Sequence, residues 1–97
     1  MLFDCYHLGV LYFEVKNLEK AKEMFEKQIS NNDYFAEPYY YLSLIYAKEN
    51  NMVMAKKMIT KAQNFYSENK FIKDSYSTPQ DKIFEKNIFF LQKKLQQ

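Results

Sequence analysis

From Cys5 to Ile29 the chain reads CYHLGVLYFEVKNLEKAKEMFEKQI, and from Tyr39 to Gln63 it reads YYYLSLIYAKENNMVMAKKMITKAQ. The second stretch is the first displaced by 34 residues. At that offset Tyr6 meets Tyr40, Leu8 meets Leu42, Tyr12 meets Tyr46 and Asn17 meets Asn51. Ala21, Lys22, Met24 and Lys27 meet Ala55, Lys56, Met58 and Lys61, and Leu11/Ile45, Gly9/Ser43 and Phe25/Ile59 are conservative pairs. A fixed period of roughly 20–50 residues marks stacked supersecondary units, each unable to bury its apolar face alone. Architectures of this kind mostly hold other molecules rather than transform them.

The spacing within each copy is helical. Leu8, Leu11, Tyr12 and Val15 recur on one face, as do Leu42, Ile45 and Tyr46. Gly9 and Ser43 interrupt the bulk where two helices need to approach, and Ala21 and Ala55 do so on the partner helix. Lys16-Asn17 and Asn50-Asn51 break the pattern with turn-favouring residues. Pro38 suits a first helical turn, where its missing N–H is not needed. The pattern predicts helices over about 3–15, 18–31, 37–49 and 53–66.

These copies resemble the tetratricopeptide repeat, a helix–turn–helix unit of this length. Leu8-Gly9-x-x-Tyr12 with Ala21-x-x-x-Phe25 fits the family spacing, and Leu42-Ser43-x-x-Tyr46 with Ala55-x-x-x-Ile59 fits with small substitutions. Departures are Cys5 where an aromatic is usual, Asp33 and Ser67 where a closing proline is usual, and Gln28 where a small residue is usual. The resemblance implies an all-α fold of two stacked repeats, about 2–35 and 36–69, within a single helical-repeat domain.

The last third departs from the period. Residues 67–77 are polar, and Thr78-Pro79-Gln80-Asp81 reads as a helix start, with Thr78 as N-cap and Pro79 in the first turn. Ile83, Phe84, Ile88, Leu91 and Leu95 form an apolar stripe on a helix predicted over about 78–96. A repeat stack needs such a cap on its open end. The alternation of four and three also suits docking on a second copy of the chain, so capping and homodimerisation both stand as expectations.

Composition narrows the function. With 97 residues the chain is one domain, and its 18 Phe and Tyr residues are more than two short repeats can bury. Some aromatics are therefore expected to meet a partner. No run of ~18 apolar residues is present to span a membrane. One cysteine permits no intramolecular disulfide, which points to a reducing, cytoplasmic location. The chain opens inside its first predicted helix without a cap, as a piece of a longer repeat protein would. Net charge is +2, divided as −2 over residues 1–35, +1 over 36–69 and +3 over 70–97. The basic tail with Phe89 and Phe90 offers an alternative reading as a nucleic-acid binder. The complete lack of arginine argues against it, because the bidentate grip on phosphate or guanine is missing.

Nothing in the sequence assembles an enzyme or a cofactor site. His7 is the only histidine and stands two residues from Cys5, so on a helix the two point in different directions. Gly9 is the only glycine, which excludes a glycine-rich phosphate loop, and no CxxC or HExxH spacing is present to hold a metal.

The family resemblance further implies a concave groove along the first helix of each pair. Carried over by position, its lining is Phe3, Tyr6, Val10, Phe13 and Glu14, then Glu37, Tyr40, Leu44, Ala47 and Lys48, with Tyr34 and Phe35 between. Members that clamp acidic C-terminal tails place Lys and Asn where this chain has Tyr6, Val10 and Tyr41, so that clamp is not expected. An aromatic, aliphatic lining suits a protein or peptide with an apolar segment. The expectation is a non-enzymatic interaction module serving as scaffold or assembly factor, with a small export chaperone of the repeat type as the alternative.

Overall fold

A computed structural model describes residues 4–31, 35–72 and 85–96. Every regular element among them is a helix: α1 Asp4–Glu14, α2 Leu18–Asn31, α3 Ala36–Lys48, α4 Met52–Ser67 and α5 Glu85–Leu95. The four expected repeat helices form within a residue or so of their predicted bounds. Phe3, Tyr34, the Thr78-Pro79 helix start, Ile83 and Phe84 lie outside the described residues.

The two hairpins turn by the same backbone device. Lys16 and Asn50, one period apart, take positive φ of 64° and 62°. Behind them the Asn17 N–H reaches Tyr12 O at 2.9 Å and the Asn51 N–H reaches Tyr46 O at 2.9 Å. This left-handed residue followed by a six-to-one bond closes a helix by satisfying its last carbonyls. Each asparagine then starts the next helix, Asn17 Oδ1 accepting from the Lys20 N–H and Asn51 Oδ1 from the Met54 N–H, both at 3.3 Å. The same closure ends α4, where Asn69 has φ 66° and the Lys70 N–H meets Phe65 O at 2.9 Å.

Between the helices of each hairpin the small residues behave as read. An added Cβ on Gly9 would stand 2.7–2.9 Å from the Phe25 ring, so α1 and α2 touch there through a missing side chain. In the second hairpin Ser43 takes that place and donates to the Ala55 carbonyl at 2.6 Å. Ala21, Ala55 and Ala62 are completely buried. One contiguous core runs from Tyr6 and Phe25 through Tyr41, Ile45 and Ile59 to Ile88 and Leu95.

Two buried polar groups hold the ends of helices. Gln28, where the family prefers a small residue, is buried and accepts the Tyr6 N–H at 3.0 Å, capping the first turn of α1 from α2. Glu37 is buried in the first turn of α3, and its Oε2 accepts the Ile72 N–H at 3.0 Å. Beside it the Ala36 N–H donates to Lys70 O at 2.9 Å, tying the start of α3 to the segment that leaves α4.

Helix α5 packs chiefly on α4 and also touches α3, much as α3 packs on α2. Ile88, Leu91 and Leu95 are buried there, against α4 and α3. Leu8, Leu11 and Val15 have helical spacing and are exposed. Periodicity shows that a face is apolar; burial also requires something lying on it.

Candidate peptide-binding groove

Two adjoining clefts open beside the C-terminal ends of α1 and α3. The first, about 360 Å³, is lined by Leu44, Ala47 and Lys48 of α3, Met52 and Lys56 of α4, and Leu91, Lys94 and Leu95 of α5. The second, about 410 Å³, is lined by Phe13 and Glu14 of α1, Lys16, Leu18 of α2, and Lys48. Lys48 borders both, so they form one interrupted trough across the repeat stack. Its floor is apolar, because Phe13, Leu44 and Ala47 pack partly into the core below. Its rim is basic, with Lys48, Lys56 and Lys94 around the first cleft.

The expected lining divides into two groups. Phe13, Leu44, Ala47 and Lys48 border the clefts. Tyr40 is half-buried, and burial raises its phenol above the ordinary tyrosine range. Tyr6 and Val10 are core residues instead, exposed by no more than 2 %. The reason lies in where α1, α2 and α3 meet. Tyr6 is surrounded by Phe25 at 5.9 Å, Phe35 at 5.9 Å and Tyr41 at 6.1 Å between ring centroids. Tyr41 stacks on Phe25 at 5.2 Å and 9°, with Phe13 edge-on at 5.2 Å. Phe35 and Glu37 are likewise buried rather than lining. Aromatics counted as surplus at the surface thus supply the joint between the hairpins.

Several lining residues were not singled out in the sequence. Met52, Lys56 and Lys94 come to the cleft only because α5 folds back beside α3 and α4. Lys56 carried a usable signal, as the repeat counterpart of Lys22. Lys22 itself bonds Glu49 Oε1 and Oε2 at 3.0 and 3.1 Å, and that carboxylate raises its ammonium above the ordinary lysine range.

Glu37 has the most perturbed acidity. Burial pushes its carboxyl up to about 7, against the opposing hydrogen bond from Ile72, and Oε1 has no hydrogen-bond partner. It lies at the seam between α3 and the segment after α4, away from the clefts. Cys5 and His7 are half-buried on α1. Among the described residues no three His, Cys, Asp or Glu side chains stand together to hold a metal ion. Nor is any described helix long and apolar enough to cross a membrane.

The fold is a helical-repeat domain, two helical hairpins stacked in series and closed by a fifth helix. Residues 5–33 match the family model described as tetratricopeptide repeat. The first hairpin is thus similar to a tetratricopeptide repeat, a type of unit that typically mediates protein–protein interaction without catalysis. Comparison with curated proteins and with solved structures gave no match.

Proposed function

We propose that the trough holds an apolar segment of a partner protein, and that the chain acts as a scaffold or assembly factor. One observation carries this reading: Phe13, Leu44, Ala47, Leu91 and Leu95, from three helices, line an open trough. A cleft of about 360 Å³ is at the small end of the ~300–1,000 Å³ range of ligand sites, and suits a few side chains rather than a large cofactor. An apolar floor under a lysine rim suits an amphipathic helix or extended segment with apolar anchors.

Selection of displayed random peptides on the full chain tests the proposal. Enriched peptides should share apolar anchors, and Leu44→Asp should weaken them at least about tenfold, the effect of losing one anchor contact worth ~1.4 kcal/mol. Ala47→Glu should act in the same direction. Peptides that bind both variants as well as the parent chain would place the functional surface elsewhere.

A further inference from the structure

Three helices in this chain carry the same stripe, with apolar or joint-forming residues spaced three and then four apart. On α3 and its C-cap it is Leu42, Ile45 and Glu49. Leu42 and Ile45 are 2 % and 0 % exposed, while Glu49 bonds Lys22 of α2 at 3.0 Å. Lys22 also lies over the Tyr46 ring, 5.0 Å from its centroid. This stripe therefore faces the second helix of the hairpin before it. On α5 the stripe is Ile88, Leu91 and Leu95, all buried as the helix packs on α4. Leu95 shares a small recess with Lys56, the counterpart of Lys22 one period on.

On α1 the stripe is Leu8, Leu11 and Val15, exposed by 45 %, 63 % and 73 %. Leu8 and Leu11 are the repeat counterparts of the buried Leu42 and Ile45. Each hairpin supplies its own second helix, so that helix cannot explain the contrast. Among the described residues, the second helix of a preceding hairpin lies on the α3 stripe and no helix lies on the α1 stripe. The stripe on α1 is one half of a joint that the chain makes elsewhere with α2–α3 and again with α4–α5.

We propose that a second copy of this chain supplies the other half. The α1 stripe of one copy docks on α4 of the next when α5 lifts away, and α5 is the stopper that keeps that face closed. Both helices offer the same spacing to the same face, so they compete for it. Charge favours the pairing, since residues 1–35 carry −2 while α4 holds Lys56, Lys57 and Lys61 and no acid. The tether gives α5 the advantage of effective concentration, which keeps the intact chain monomeric. Once open, the joint is head-to-tail and unclosed, and it propagates into chains of copies rather than ending at a pair.

The test loosens α5 in the full-length chain with Leu91→Ala and Leu95→Ala, and follows mass by light scattering across concentration. Mass should climb past twice that of the monomer, and adding Leu11→Asp should return it to the monomer. In the same background Val15→Glu places a carboxylate where Glu49 stands on α3. A zero-length carbodiimide should then couple position 15 of one copy to Lys56 of another, with Lys22–Glu49 coupling as the internal control. A monomer that keeps its helix content overturns the proposal. So does growth that ignores Leu11→Asp, or a closed dimer without the 15–56 link, which would be two α1 stripes face to face. Should the loosened variant lose its circular-dichroism helix signal, the intact chain bearing Val15→Glu alone decides. Prolonged coupling must then yield an interchain ladder with the 15–56 link, and monomer alone overturns the idea.

Discussion

The first and second hairpins enter and leave their turns through the same hydrogen bonds, yet their interiors are filled by opposite means. In the first, the α1 backbone approaches an aromatic, Phe25, over Gly9. In the second, the hydroxyl of Ser43 bonds the Ala55 backbone, and the aliphatic Ile59 replaces the ring. The first also uses a buried Gln28 where the second has Ala62, while the second buries Glu37 at the start of its first helix. The turn geometry is local and repeats with the sequence. The filling is a joint property of two positions, so each hairpin has reached its own consistent pair.

The largest difference between the hairpins should appear on changing pH. The folded chain keeps a proton on Glu37 up to about 7, whereas an ordinary glutamate, as in the unfolded chain, releases it near 4.5. Between those values the folded state binds more protons, so the contribution of Glu37 to stability is fully present below the lower value and is lost as pH rises to the upper one. The loss is about 3 kcal/mol on the usual conversion of ~1.4 kcal/mol per pH unit. Glu37→Gln mimics the protonated acid and should flatten that slope in urea melts recorded across this range. Parallel slopes for parent and variant would show that Glu37 titrates normally.

A smaller effect tests whether the two interiors are matched pairs. Gly9→Ser presses a side chain onto the Phe25 ring and should cost about 1–3 kcal/mol. Phe25→Ile alone also destabilises, because Tyr6 and Tyr41 lose their aromatic neighbour. Together the two changes transplant the second hairpin's solution into the first, and should recover about 1 kcal/mol of the summed loss. Strict additivity in the double-mutant cycle would mean that the positions do not share one space.

The smallest effect concerns the turns that look alike. Lys16 and Asn50 both hold a left-handed conformation, which asparagine tolerates better than lysine. Lys16→Gly should therefore stabilise by about 1 kcal/mol, and Asn50→Gly by less. Equal shifts in thermal midpoint would remove this distinction.

The sequence was most legible where structure is local. The period located both hairpins, their turns at Lys16 and Asn50, and the close approach at Gly9 without reference to any distant residue. It was less legible wherever a residue's surroundings come from a third helix. Tyr6 and Val10 were placed in the groove by position, but α3 and Phe35 close over them. Leu8, Leu11 and Val15 show the converse, an apolar face that is exposed among the described residues. Gln28 departs from what its position usually holds, but its bond to the Tyr6 N–H on another helix leaves no periodic signal in the sequence. Leu44, Ala47 and Lys48 stay at the trough because their end of α3 is walled rather than covered by α5.

The bond from the Tyr6 N–H to Gln28 Oε1 has a kinetic meaning as well. The first turn of α1 keeps its amide closed only while the last turns of α2 remain wound, so the two helix ends fray as one unit. Deuterium uptake at the Tyr6 amide therefore reports the local opening of a segment 22 residues away in sequence.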